Sequence, residues 1–354
     1  MIIKNAKTKE GIVDILIEDG VIAFVGAIQE KRDIDARGKT VIPGLIDTHI
    51  HGFGGYDVNG KGISGMSRAL AKAGTTSFLA TAMTDDMKKL GEICSAQYDC
   101  DGAHLLGFHL EGPYISKKRK GAQNETFIKE PDIEEFRRIK NVKKITVAPE
   151  LDGMTEFISD ADCIVSIGHT DCTYDEALTA IDAGASCLTH TFNAMPPMLH
   201  RAPGPIGAAL ERGIYAELIC DGVHVSDAAA VALYRIFGSG RLTLVSDALG
   251  CAGMPDGRYS SGGIDVYLKD GVATLCDGTL AGGSRSLLES VKTAQKLGID
   301  FWEAVKMASE TPARSLGLVK GRLKAGYDAD IVILNDDMSV FMTIVGGRIV
   351  YKQE

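Results

Sequence analysis

The chain has 354 residues, more than one ordinary domain and enough for a barrel of about 250 residues with a small companion. Hydrophobic residues at 45% and charged residues at 24% suit a globular protein, and a net charge of −9 argues against nucleic acid as a partner. No apolar run nears the roughly 18 residues of a membrane span, the N-terminus lacks a signal-peptide layout, and eight cysteines lie scattered without CxxC spacing. A cytoplasmic protein with reduced thiols and no membrane partner is therefore expected.

The N-terminal stretch reads as β-structure. Asp14-Ile15-Leu16-Ile17-Glu18, the pair Asp19-Gly20 and Val21-Ile22-Ala23-Phe24-Val25 signal a hairpin, because Asp-Gly supplies the positive φ of a type I′ turn. A short strand is predicted over 33–40. The long middle then alternates, with strands predicted at 45–49, 77–82, 105–110, 145–148, 163–167, 187–190, 215–219 and 242–246. Amphipathic stretches at 64–73, 133–139, 174–183 and 228–237 lie between them. This βα alternation predicts an α/β fold, a closed parallel (β/α)8 barrel of the TIM type. A doubly wound sheet would carry a Gly-rich phosphate loop after its first strand, and no GxGxxG follows here. The Gly-rich segments 250–263 and 278–283 read as mobile loops over the site.

The C-terminus returns to short strands, one at 329–334 and a hairpin of Thr343-Ile344-Val345, Gly346-Gly347 and Arg348-Ile349-Val350. Strands at both ends predict a small β-sandwich domain built from residues 1–42 and 318–354, beside a catalytic barrel of 43–317. The alternative is that they are edge strands of the main sheet.

Chemistry concentrates where the apolar runs end. In Asp47-Thr48-His49-Ile50-His51, His49 and His51 stand at i and i+2, so on a strand both face one side and can grip one divalent metal. Taken alone, His-x-His is a weak signal. It gains weight from Glu111 in His109-Leu110-Glu111-Gly112-Pro113, from His169 and His190, each followed by Thr and ending a successive strand, and from Asp247 in Ser246-Asp247-Ala248. Glu111 reads as a metal ligand or a bridge between two metals, against the bland reading of a turn cap. His109 reads as a core residue. Asp247 reads as the proton acceptor that a metal-activated hydrolysis needs, against a salt-bridged Asp or a helix cap. In a barrel these residues share the C-terminal mouth of the strands.

The run Pro-Gly-Leu-Ile-Asp-Thr-His-Ile-His-Gly, then His-Leu-Glu-Gly-Pro, Gly-His-Thr, His-Thr-Phe-Asn-Ala-Met, Asp-Gly-Val-His and Ser-Asp-Ala, resembles the amidohydrolase superfamily over nearly the whole chain. Within it the chain resembles the N-acetylglucosamine-6-phosphate deacetylases. The resemblance implies metal-dependent hydrolysis of the acetamide of a phosphosugar. It maps metal ligation onto Glu111, His169 and His190 and proton transfer onto Asp247. It maps substrate contacts onto Ala122, Asn193, Ala194, Arg201, His224, Leu280, Ala281 and Gly282, and implies a homodimer. Read alone, Arg201 is as easily a surface arginine. Because His49 and His51 are both present, a second metal site is available, so one or two divalent ions per subunit are expected, of zinc, iron, manganese or cobalt.

Gln123 stands where other members carry a histidine thought to polarise the acetyl carbonyl; glutamine donates a hydrogen bond but carries no proton. The basic run 117–120 reads as a solvated loop near the entrance. Rival readings are another amidohydrolase, a cyclic-amide hydrolase or deaminase, and a non-catalytic scaffold on the same barrel.

Overall fold

The computed structural model describes residues 1–60 and 62–354. Eight parallel strands form one sheet in strictly sequential order: β1 (Leu45–Ile50), β2 (Thr75–Met83), β3 (His104–Glu111), β4 (Val142–Val147), β5 (Ile164–Ile167), β6 (Cys187–Leu188), β7 (Tyr215–Ile219) and β8 (Leu242–Val245). The seam between β8 and β1 is not a regular ladder. Asp247 N–H donates to the His49 carbonyl at 2.9 Å, and His51 N–H donates to the Ala248 carbonyl at 2.8 Å. The barrel thus closes through the residues that carry the chemistry.

Helices α1 (Ile63–Lys72), α2 (Met87–Ser95), α3 (Ile133–Phe136), α4 (Met154–Asp160), α5 (Tyr174–Asp182), α6 (Gly204–Arg212) and α7 (Asp227–Phe237) connect successive strands. With both faces covered, strands lose the in–out alternation of a half-exposed sheet, and every residue of β2 is buried. Local sequence fixes helix starts. Thr173 and Glu176 form a reciprocal capping box that opens α5.

The terminal strands make a separate sheet. Its path runs Arg348–Lys352, Val340–Val345, Ile331–Leu334, Thr40–Pro43, Ile2–Thr8, Gly11–Glu18 and Val21–Gly26, with Ile34–Asp35 pairing Ile2–Thr8. Ile3, Ile15, Ile22, Ile331 and Ile344 are among the residues of its own buried core. Both expected hairpins are present, with Asp19 and Gly20, and Gly346 and Gly347, at positive φ. The chain passes from this sheet into the barrel at Gly44, where a Cβ would lie 2.1 Å from Thr76 Oγ1.

One expectation is corrected. Segments 250–263 and 278–283 are not loops throughout: Gly257–Ser261 and Leu280–Gly282 within them are the outer strands of a four-stranded antiparallel sheet completed by Ile264–Lys269 and Val272–Thr274. Leu249, Cys251, Val266, Leu268 and Ala273 form a small core that supports it. After this sheet, α8 (Leu287–Lys296), α9 (Phe301–Met307) and α10 (Glu310–Ser315) lead back to the terminal sheet.

Candidate metal centre and active site

β6 and β8 end earlier than the sequence predicts, because the residues that follow turn into left-handed backbone. His169, His190 and Asp247 have φ of 48°, 29° and 48°, and Phe192 and Ala194 have φ of 81° and 50°. Such conformations cost about 1–3 kcal/mol each and persist where surrounding structure enforces them. At His169, His190 and Asp247 the turn brings a polar residue to the cavity at the barrel mouth. In the first strand the ladder with β2 is irregular between Asp47 and Ile50, and both His49 and His51 still reach the same carboxylates.

Two buried groups result. His49, His51 and Asp247 form one; Glu111, His169 and His190 form the other, with the ligand atoms of each group within 4.8 Å of one another. Glu111 spans both. Its Oε1 lies 3.1 Å from His49 Nε2, 3.3 Å from His169 Nε2 and 3.1 Å from His190 Nε2, while Oε2 lies 3.2 Å from His51 Nε2. Asp247 Oδ1 lies 3.1 Å from His51 Nε2 and 3.3 Å from His49 Nε2.

The donor set fits divalent cations. His169 Nε2 and His190 Nε2 face each other at 3.0 Å. His49 Nε2 is near two carboxylates but in hydrogen-bonding geometry with neither. Imidazole and carboxylate atoms converging in this way suit zinc or a related metal. The far nitrogens hold the rings in place. His51 Nδ1 lies 3.1 Å from the Thr81 carbonyl, and His169 Nδ1 lies 2.8 Å from the Arg119 carbonyl.

Burial opposes charge on His51, but Asp247 and Glu111 outweigh it and raise its pKa to about 9. Burial likewise opposes the Asp247 carboxylate, and His49 and His51 beside it hold its pKa below the usual value. Asp247 is therefore ionised at neutral pH, as a proton acceptor must be.

A cavity of about 410 Å³ opens over these groups. His51, Glu111, His169, His190 and Asp247 line it, together with Ala122, Asn193, Ala194, His224, Leu280, Ala281 and Gly282 from the expected substrate contacts. The last three arrive on the antiparallel sheet, which is tied to the catalytic turn by Gly283 N–H donating to the Asp247 carbonyl at 2.7 Å. Arg201 does not line this cavity. It is exposed, on a loop closed by Leu199 and Ala202, and its guanidinium lies 2.8 Å from His200 Nε2. His224 is held by Asp221 at 2.7 Å. Burial works against charge on His224, and the Asp221 carboxylate more than restores it, so its pKa is raised.

Gln123 is buried with both ends engaged. Its Oε1 accepts from Thr84 N–H at 2.8 Å, which turns its amide nitrogen to donate to Glu111 Oε2. Of the basic run, Lys118 and Arg119 line the cavity and pair with Asp171. His109 lies in the barrel interior, 2.8 Å from Thr146 Oγ1 and 3.2 Å from Thr81 Oγ1, with burial holding its pKa well below the usual value.

Sequence reasoning missed Glu217, Lys144 and Asp47. Asp47 receives Ser246 N–H at 3.3 Å across the seam. The available signal for Glu217 was a lone charge inside an apolar strand, Tyr215-Ala216-Glu217-Leu218-Ile219, whereas Lys144 follows Lys143 at a strand start and stands out by nothing in the sequence.

Comparison with known proteins is consistent over the full chain. Residues 40–350 match the model of the amidohydrolase family. An N-acetylglucosamine-6-phosphate deacetylase of Lysinibacillus sphaericus is 37% identical over 98% of this chain and 95% of its own length. An N-acetylgalactosamine-6-phosphate deacetylase of Escherichia coli O157:H7 is 34% identical over 97% of this chain and 96% of its own. A solved structure of a Mycobacterium smegmatis N-acetyl-D-glucosamine-6-phosphate deacetylase variant, in complex with N-acetyl-D-glucosamine-6-phosphate, superposes with a TM-score of 0.93 at 31% identity, covering 99% of each chain.

Proposed function

Because this chain belongs to the amidohydrolase family, we propose that it hydrolyses the acetamide of N-acetylglucosamine 6-phosphate, giving glucosamine 6-phosphate and acetate. The observation that carries this reading is the placement of Asp247 in one of two adjoining metal-binding groups, bordering a cavity that seven of the eight expected substrate contacts line. Glu111, His169 and His190 would hold one divalent ion, and His49 and His51 with Asp247 a second. Bound metal supplies Lewis acidity, which favours ionisation of the attacking water and stabilises charge on the acetyl oxygen.

The chain's own residues do the rest. Asp247 accepts a proton from the attacking water as its oxygen bonds to the carbonyl carbon. It returns that proton to the amine nitrogen as the C–N bond breaks. Gln123 keeps Glu111 turned towards both histidine groups. Its amide carries no titratable proton, so it can offer the acetyl oxygen at most a second N–H, the first being engaged by Glu111. His224 is assigned to the phosphate, Asn193 and the neighbouring backbone to phosphate oxygens or sugar hydroxyls, and Leu280–Gly282 to the wall of the same substrate cavity.

A homodimer is part of the proposal. Met198 and Leu199 are 44% and 54% exposed beside Arg201, an apolar tip suited to a second copy, which would carry Arg201 towards a neighbouring cavity. A cytoplasmic location is supported by eight unpaired cysteines. No helix among the described residues is long and apolar enough to cross a membrane.

The rival cyclic-amide chemistry usually bridges its metals with a carboxylated lysine. Lys144, the buried lysine of the barrel strands among the described residues, is instead paired with Glu217, across the His49 ring from Glu111. The Escherichia coli relative supports a second reading, in which the C4 epimer is the preferred sugar. The test is acetate release from the two N-acetylhexosamine 6-phosphates, with and without a chelator. Chelator-sensitive turnover that is fastest on the glucosamine form is expected. Release from neither sugar would overturn the assignment.

A further inference from the structure

Beneath the metal groups, inside the barrel, lies a carboxylate with no part in the mechanism so far. Glu217 on β7 is 0% exposed. Its Oε2 accepts from His49 Nδ1 at 3.0 Å and from His190 N–H at 3.2 Å. Its Oε1 accepts from the Lys144 ammonium and lies 3.5 Å from Thr48 Oγ1. Lys144, on β4, is 2% exposed. Lys144 and Glu217 thus form an ion pair inside the barrel wall. A buried anion is tolerated only with this degree of pairing.

The four ligand imidazoles differ in what holds their far nitrogens. His51 and His169 rest on neutral backbone carbonyls. His190 Nδ1 has no hydrogen-bond partner among the described residues. Only His49 is tied to a carboxylate. That bond keeps the proton on Nδ1, leaves the Nε2 lone pair aimed between Glu111 and Asp247, and makes the ring a stronger donor. Glu217 also touches the other group, but only through the main chain of His190, so the electronic effect falls on His49.

We propose that Glu217, charge-balanced by Lys144, is a positioning residue that sets the metal affinity of the His49–His51–Asp247 group and leaves that of the Glu111–His169–His190 group unchanged. This rests on the reading that both groups bind metal.

The test is the double substitution Glu217→Gln with Lys144→Met, which removes both buried charges together and leaves no unpaired ion. Metal-free native and variant proteins are titrated with zinc against a competing chelator, and their thermal unfolding is compared. The variant should unfold near the native temperature and bind one equivalent as the native protein does. The second equivalent should bind roughly 10–100-fold more weakly, the usual effect of losing an outer hydrogen-bond partner of a metal-bound histidine. A merely structural Glu217 would give native affinity for both equivalents once the neutral pair restores stability, and that result overturns the inference. A native protein that takes up no zinc overturns the metal reading itself.

Should the variant fail to fold, ¹⁵N-histidine spectra of the zinc-loaded native protein decide the matter, with the His49 signals identified by their loss in His49→Asn. A ring protonated at Nδ1 and ligated through Nε2 is expected. Ligation through Nδ1 overturns the inference.

Discussion

Asparagine at position 247 isolates proton transfer from everything else Asp247 does. The backbone there has φ of 48°, a conformation that asparagine adopts as readily as aspartate. The two main-chain hydrogen bonds that hold the turn, to His49 at 2.9 Å and from Gly283 at 2.7 Å, do not involve the side chain. An amide oxygen can still occupy the place of Oδ1 beside His51. What disappears is the ability to take a proton from water and return it to the amine. A positioned acid–base group contributes about 10²–10⁴-fold, or about 2.7–5.4 kcal/mol at 1.36 kcal/mol per decade, and kcat should fall by that factor. The assay is acetate release at saturating N-acetylglucosamine 6-phosphate, with metal content and circular dichroism measured on the same sample. Turnover within about threefold of the native enzyme, with metal retained, would refute the assignment. Loss of metal along with turnover would make Asp247 chiefly a ligand.

Replacing His49 and His51 together by alanine should remove one metal equivalent and leave the one held by Glu111, His169 and His190, as read by elemental analysis. Burial opposes charge on the His224 imidazole, but Asp221, with Asp247 beside it, raises its pKa above 6.5. Its stabilising contribution is full below about 6.5 and fades as the pH rises through the raised value. KM for the phosphosugar should accordingly climb on the alkaline side, and His224→Gln should abolish that climb. Arg201→Ala should collapse the preference for phosphorylated over free sugar by roughly 10–100-fold in kcat/KM, the equivalent of one charge-assisted bond; an unchanged ratio would leave Arg201 an exposed loop residue. Alkylation of the native protein should modify Cys276 first, since it is the exposed thiol, whereas burial pushes Cys94, Cys163, Cys172 and Cys220 up to about 12.

Local chemistry made much of this protein readable from its residues. Asp19-Gly20 and Gly346-Gly347 dictate turns wherever they fall, and the apolar runs of the middle region fix the barrel strands to within a few residues. Polar residues at the ends of those runs marked the barrel mouth, because a closed parallel barrel brings equivalent strand ends together. Three features escaped that logic. The small sheet over the site forms from Gly-rich segments whose pairing depends on a core contributed by Leu249 and Cys251, outside its own strands. The left-handed turns at His190 and Asp247 come from their surroundings, since nothing in a His-Thr or Ser-Asp pair demands positive φ. Arg201, which the family motif assigns to substrate, lies outside the cavity of its own chain. Glu217 and Lys144 show the limit most sharply. Separated by 73 positions, Glu217 is only a charge in an apolar strand and Lys144 only the second of two lysines until the barrel closes and desolvates both, at which point pairing becomes the condition for either to be there.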